Sequence, residues 1–226
     1  IGILDGGSLE IWKKYFGEDA RIIGIDNNPE CKKFDNPNFE IYIGSQSDKN
    51  FWRQFYNKVG KVDIILDDGG HTNDQQIISL TESVNNINNG GLYVVEDVHT
   101  SYLKHYGNPY KYSFVNFTKK LIDDINFTYP NLDRFNYSLN KSIYSIQYFE
   151  SMVAFFVDRN LCEENTLIEN NGFSSGNHDT AIDEIFFKFR KKYNILYKFK
   201  LIKKIERFFI IKSLRKNSRK LKRYFK

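Results

Sequence analysis

The most chemically loaded stretch of the chain is Val62 to Gln76, VDIILDDGGHTNDQQ. Val62, Ile64, Ile65 and Leu66 form a short apolar run, the signature of a strand buried on both faces. The run stops at Asp67, Asp68, Gly69, Gly70 and His71. Carboxylates at a buried strand end are costly unless they are paired or hold a metal. Two successive glycines give up backbone entropy for unusual dihedral angles or for close approach of a ligand. Leu92 to Val95 is a second apolar run, and it ends in Glu96, Asp97, Val98 and His99. Two strands thus finish in acids followed by an imidazole. In open α/β sheets the carboxyl ends of strands are where ligands bind.

The elements that must carry these tips can be read around them. Ile1 to Leu4 predicts a first strand, followed by Asp5-Gly6-Gly7-Ser8 and a helix bearing Leu9, Trp12 and Phe16 on one face. Ser8 is the expected N-cap of that helix, and Gly17 its stop. Arg21 to Ile25 is the second strand, closed by Asp26. A carboxylate there accepts two hydrogen bonds from vicinal ribose hydroxyls, so the Gly-rich turn and Asp26 together point to a nucleoside ligand. Phe39 to Ile43 is the third strand, ending in Gly44-Ser45-Gln46-Ser47-Asp48, whose polar side chains could meet an adenine edge. Phe51 to Val59 is a helix. Thr72 and Asn73 cap the helix expected from Asp74 to Asn86, which Asn88-Asn89-Gly90-Gly91 ends.

Farther along, a helix is expected over roughly Tyr112 to Asn126. Ser142 to Tyr148 and Met152 to Val157 read as a hairpin around Phe149-Glu150-Ser151. Residues 163–177 read as a polar loop and 179–191 as a helix. This β-α-β alternation predicts an α/β fold: a Rossmann-like, doubly wound, mostly parallel sheet with an antiparallel C-terminal hairpin.

Composition narrows the partners. The net charge is +5, but the basic side chains crowd into residues 196–226, where Glu206 is the lone acid. The remainder is net acidic, which argues against nucleic acid as the substrate. The tail spaces Phe199, Ile202, Ile205, Phe209 and Ile210 among lysines at helical intervals. It suits either peripheral contact with an anionic membrane surface or packing on its own domain or a partner, and a homo-oligomer is a separate expectation. The expected organisation is therefore a domain over 1–195 and a basic amphipathic tail over 196–226. Cys31 and Cys162 are the two cysteines, too few and too distant for a disulfide framework, and they fit a reducing, cytoplasmic compartment. No run approaches the roughly 20 apolar residues of a membrane span. The chain starts inside the expected first strand, so an upstream segment is expected to be missing.

Four motifs in order, IGILDGGSLEIWKKYF, GIDNNPEC, IILDDGGHTNDQQ and GGLYVVEDVHTSY, resemble S-adenosylmethionine-dependent class I methyltransferases. The similarity is greatest to the metal-dependent sugar O-methyltransferases of macrolide antibiotic biosynthesis. It covers about Ile1 to Tyr102 and the hairpin. The resemblance implies that Gly2, Asp5, Gly6 and Gly7, with Ser8 beside them, line the methionine and ribose part of S-adenosylmethionine. It implies that Asp26 holds the ribose hydroxyls and that Gln46 and Ser47 lie near the adenine. The implied metal is Mg²⁺, on Asp68, Glu96 and Asp97, and the implied general base is His71. Asp67 belongs with the cofactor loop, which it orients. His99 and Tyr102 are expected around the ligands or the substrate. The family commonly has Asp where Ser45 stands.

The chemistry holds together without the name. Methyl transfer from a sulfonium is an in-line displacement, and an alcohol is a poor nucleophile at neutral pH. A cation polarises the hydroxyl and a histidine removes its proton. Mg²⁺ takes oxygen ligands and leaves positions open. Neighbouring parallel strands lie about 4.8 Å apart, so acids at two adjacent tips can share one ion. The expected function is methyl transfer to a hydroxyl of a sugar or glycan precursor, in surface polysaccharide or natural-product biosynthesis, at the inner membrane surface if the tail binds there. The competing readings are a nucleoside-binding scaffold docked through its tail, or a methyltransferase for a non-sugar acceptor such as a phosphoramidate. A nicotinamide-dependent oxidoreductase fits less well, because the first turn lacks a full G-x-G-x-x-G.

Overall fold

A computed structural model describes residues 1–106, 111–126, 139 and 141–163, with 191–192, 204–205, 208–209, 212 and 224 beyond them. The chain divides into two units, Ile1–Thr166 and Leu167–Lys226. The elements below belong to the first. The polar loop expected over 163–177, the helix over 179–191 and the helical tail over 196–226 lie largely outside the described residues. Among the described residues no helix is long and apolar enough to cross a membrane.

Period-two alternation builds the first half. β1 (Ile22–Asp26) and β2 (Phe39–Ile43) pair in parallel. Phe39, Ile41 and Ile22 join one apolar cluster with Ile3, Cys31 and Leu9 of α1 (Gly7–Phe16). Ile23, Ile25 and Tyr42 point the other way, into a cluster with Trp52, Phe55 and Val59 of α2 (Lys49–Val59). Helices therefore cover both faces here, as a doubly wound sheet requires. Each fully buried side chain of this kind contributes about 1.5–3 kcal/mol. The N-cap of α1 is Gly6, in the left-handed region at φ 84°, and not Ser8, which lies inside the helix. The turn arrives at the helix with a left-handed bend that a glycine makes without steric cost.

The second half is a four-stranded sheet in the order β3 (Val62–Asp67), β4 (Ile87–Val95), β6 (Met152–Val157), β5 (Ile143–Phe149). β3 and β4 run parallel, while β6 is antiparallel to both β4 and β5. The acid-tipped strands are thus neighbours. Tyr93, Val95, Val153, Phe155 and Val157 are fully buried in one cluster with Leu80 and with Phe114, Val115 and Leu121 of α4 (Phe114–Ile125). Leu80 belongs to α3 (Asn73–Ser83). The opposite face is open among the described residues: Ile64 is 47% and Tyr144 48% exposed. Among the described residues β3 is therefore not buried on both faces as its apolar run suggests, since Ile64 on that face has no helix over it. α3 also ends before Asn86. A 3-10 turn, Val84–Asn86, leads straight into β4, so the Asn-Asn-Gly-Gly segment lies within the strand, beside a break in register. Arg159 holds this corner, donating from Nη1 to Ile87 O (2.9 Å) and from Nη2 to Val84 O (3.1 Å).

Residues 1–3 sit between the two sheets. Ile1 donates to Leu66 O (2.7 Å) and Asp68 N–H to Ile1 O (3.2 Å), while Gly2 N–H reaches Ile25 O (2.8 Å). The segment has strand-like neighbours but is not a regular strand, contrary to the expectation for Ile1–Leu4. Gly2 (φ 82°) and Leu4 (φ 52°) are left-handed. The amides of Ile3 and Leu4 go to the Asp26 carboxylate, not to a ladder.

One buried acid tunes the stability of α4. Asp124 is 2% exposed, and Oδ1 has no hydrogen-bond partner among the described residues. Burial pushes its pKa up to about 6, against a backbone hydrogen bond from Leu139 that lowers it. The folded state therefore holds a proton that the unfolded chain releases near pH 4. This stabilisation is complete below about pH 4 and lost as pH rises through about 6. Asp124→Asn is expected to leave Tm unchanged at pH 4 and to raise it at pH 7.5 by about 2–4 °C, the shift that 1 kcal/mol gives a domain of this size. Thermal melts at the two pH values check it.

Candidate active site

A buried polar network carries the turn after β3. Asp67 is 1% exposed. It accepts from Tyr93 Oη (2.9 Å), from Gln46 Nε2 (3.0 and 3.2 Å) and from Gly69 N–H (3.3 Å). Burial is the main influence on its carboxyl and raises the pKa despite those bonds. Gln46 Nε2 also donates to Ser79 Oγ (3.0 Å), and Gln46 Oε1 accepts from Gly70 N–H (2.6 Å). Trp52 Nε1 donates to Gln46 O (2.8 Å). Both amide hydrogens of Gln46 are spent on Asp67 and Ser79, so its side chain supports the turn. The next helix starts with a capping box in which Gln75 Oε1 accepts from Thr72 N–H and Thr72 Oγ1 (3.2 and 2.6 Å).

With the turn so held, Asp68 and His71 meet Asp97 from the tip of β4. One ligand atom from each of these three lies within 4.8 Å of the others. His71 Nε2 is 3.6 Å from Asp97 Oδ2, and His99 Nδ1 is 3.7 Å from Asp97 Oδ1. Glu96 stands outside that group. Burial first, then the charges of Asp68 and Asp97, raise its pKa. Two acids on neighbouring strand tips, Asp68 and Asp97, with the His71 imidazole beside them, are a donor set that a hard divalent cation fits, because carboxylate oxygens neutralise it and leave positions open. His71 completes the three-residue group as either a third ligand or a proton acceptor beside the two acids.

Two residues that the sequence did not single out steady this group. Thr100 Oγ1 donates to Asp97 O (2.8 Å) and to His71 O (3.2 Å), joining the two tips through their backbones. Ser151 Oγ lies 2.6 Å from His99 Nδ1, and Val98 N–H reaches Ser151 O (3.0 Å). Ser151 sits in the hairpin turn at φ 59°, and Asp97 is itself left-handed at φ 54°. Such strain costs on the order of 1–3 kcal/mol at each site and gathers where function fixes geometry. Tyr102 closes the 3-10 turn Val98–Tyr102 and is 57% exposed.

The turn also forms one wall of a cavity of about 530 Å³. Gly2, Asp5, Ser8, Asp26, Gln46, Asp68 and His71 line it, together with Ser45, Asn27, Gly69, Gly70 and Gln75. Gly6, Gly7, Ser47 and Asp67 lie outside the lining. Gly6 and Gly7 shape the turn into α1, and Ser47 pairs with Ser45 Oγ (3.0 Å). Asp26 projects at the mouth, accepting from Ile3 N–H (2.8 Å), Leu4 N–H (3.3 Å) and Asn28 N–H (2.9 Å). Burial raises its pKa, but the bonds from Asn28, Ile3 and Leu4 outweigh it and hold the carboxyl below its ordinary value. An ionised acid lining this cavity is a fit for the vicinal hydroxyls of a ribose. At Gly2 a Cβ would run into the backbone of Asp68 and Gly69, so a glycine is required where the two walls meet.

No protein-family profile matches the chain. It is 33% identical over 127 residues to 8-demethyl-8-(2-methoxy-alpha-L-rhamnosyl)-tetracenomycin-C 3'-O-methyltransferase of Streptomyces olivaceus, covering 54% of this chain and 32% of that protein. To 8-demethyl-8-alpha-L-rhamnosyl tetracenomycin-C 2'-O-methyltransferase of the same organism it is 32% identical over 130 residues, covering 56% and 34%. Among solved structures, the MycE methyltransferase from the mycinamycin biosynthetic pathway, in complex with Mg, SAH and mycinamycin VI, superposes with a TM-score of 0.63 at 28% identity. It covers 69% of this chain and 40% of that one. The chain spans about a third of the length of the curated relatives it matches. The fold is that of these methyltransferases, and the relatives are sugar O-methyltransferases, the group that the four sequence motifs resemble.

Proposed function

We propose that the chain carries the catalytic part of an S-adenosylmethionine- and Mg²⁺-dependent O-methyltransferase acting on a hydroxyl of a sugar. The observation that carries this reading is that Asp68 and His71 belong both to the wall of the cavity that Asp26 lines and to the acid–imidazole group that closes on Asp97. A methyl donor in that cavity and a hydroxyl at that group would meet at one wall. The relatives named above support the donor, the metal and the sugar.

In this reading Asp26 grips the ribose hydroxyls, and the backbone around Gly2 lets the cofactor lie close. Asp68 and Asp97, with Glu96 beside them, hold the cation. When bound, the cation supplies Lewis-acid polarisation of the acceptor hydroxyl. His71 takes the hydroxyl proton as the oxygen attacks the methyl carbon in line with the departing sulfur. Asp97 keeps the imidazole oriented. His99, tied to Ser151, steadies Asp97 from the other side, and Tyr102 flanks the acceptor. The remaining assignments are proposals of the same kind: a basic tail over 196–226 that meets a partner or a membrane surface, and a cytoplasmic setting.

Calorimetry with S-adenosylhomocysteine tests the donor. Mass spectrometry of a panel of nucleotide-sugars and rhamnosides incubated with S-adenosylmethionine tests the acceptor class. The expected result is measurable binding and a gain of one methyl group that EDTA abolishes and Mg²⁺ restores. Absence of binding, or undiminished transfer in EDTA, would sink the reading.

A further inference from the structure

Gln46 stands where two functions touch. Its side chain lines the cavity, yet its hydrogen bonds all point into the protein. Oε1 accepts from Gly70 N–H (2.6 Å), between Asp68 and His71, and Nε2 is anchored on Asp67 and Ser79. Its own carbonyl is fixed by Trp52 Nε1 (2.8 Å). A Cβ at Gly69 would strike its amide, so the two segments are in tight contact. The residue is 6% exposed. The segment after β2 is therefore bolted to the turn that presents Asp68 and His71, and the bolt is one glutamine side chain.

We propose that Gln46 is a positioning residue that couples filling of the nucleoside cavity to cation binding at Asp68, His71 and Asp97. The proposal rests on the function proposed above and adds an energetic link between its two ligands. A ligand in the cavity presses on the 44–46 wall and on the Gly69–Gly70 wall together. Gly70 N–H to Gln46 Oε1 transmits that restraint to the flanking acid and imidazole, so the cation meets ligands already ordered. Ordering shared by two ligands produces positive cooperativity without a change of shape, and the effect has to be reciprocal.

The test uses the full chain, Mn²⁺ as an ion whose free form is read by electron paramagnetic resonance, and S-adenosylhomocysteine, which lacks the sulfonium charge and so isolates positioning from repulsion. Saturating S-adenosylhomocysteine is expected to tighten Mn²⁺ binding about tenfold, within the 5–150-fold range of such couplings. Saturating Mn²⁺ tightens S-adenosylhomocysteine by the same factor. Gln46→Leu, of similar bulk, brings the ratio close to one. Tyr93→Phe, which removes a different hydrogen bond from the same Asp67, keeps it. If Gln46→Leu does not fold, hydrogen exchange on the wild-type chain decides: S-adenosylhomocysteine alone slows the amides of Gly69 to His71. A wild-type ratio of one, a ratio that survives in Gln46→Leu, or unchanged exchange overturns the coupling while leaving the two binding sites intact. A chain that binds neither probe overturns the function with it.

Discussion

Under the proposed function, His71→Ala is expected to lower methyl transfer by about 10²–10⁴-fold, the range general-base removal produces. It leaves the affinity for S-adenosylhomocysteine essentially unchanged. The split follows from where the residue stands. His71 contributes a half-buried imidazole to the cavity rim and to the acid group. The turn itself is carried by Gln46, Asp67 and the Thr72–Gln75 capping box, none of which needs the imidazole. Thr100 holds position 71 through its backbone carbonyl, a contact alanine retains. Initial rates with labelled S-adenosylmethionine, beside calorimetry, read both quantities. Undiminished transfer would remove His71 from the chemistry. A parallel loss of cofactor binding would show that it holds up the pocket instead.

Asp26→Asn weakens S-adenosylhomocysteine binding by about 10–100-fold, since each tenfold loss is 1.4 kcal/mol and charge-assisted bonds contribute about 1.5–3 kcal/mol. The carboxylate faces the cavity while accepting from three backbone amides. An amide in its place turns a donor toward one of those N–H groups and offers one acceptor fewer to the ribose. The same residue gives a pH signature. Its carboxyl is held below the ordinary range, so its contribution to stability is present above about pH 4, the unfolded value, and is lost as pH falls through the lower folded one. The variant therefore loses Tm relative to wild type at neutral pH, and the gap closes in acid. Binding isotherms and melts at pH 7 and pH 3 test the two halves separately, and an unchanged isotherm would take Asp26 out of the pocket.

The strand tips were legible because they break a local rule. Apolar runs ending in Asp-Asp-Gly-Gly-His and Glu-Asp-Val-His have no reason in packing alone, and β3 and β4 do lie side by side. Capping was legible too: Thr72 is the N-cap, while Asn73 is used elsewhere, accepting from Phe114 N–H (2.8 Å). What sequence could not give was partnership across distance. Gln46 follows a strand where an adenine neighbour is expected, but its support of the turn is not legible there, since its partners Asp67 and Ser79 are 21 and 33 positions away. Ser8 looked like a cap because serine favours caps, and Gly6 displaced it by taking a backbone angle that pattern reading does not see. Ile64 read as buried because an apolar run announces a strand without saying what lies on each face. Thr100 and Ser151 carried no signal beyond standing near the acids.

Every residue that lines the cavity falls between Ile1 and Gln75, whereas Asp97, His99, Tyr102 and the Ser151 turn come later in the chain. Under the proposed function, donor handling is therefore written in one early stretch, and the acceptor side shares Asp68 and His71 with it but adds residues that come later in the chain. Insertions or exchanges beyond the 3-10 turn after β4 can remodel what is methylated while the methyl source stays as it is. A lineage, or an engineer, seeking a new acceptor has a natural seam at which to cut.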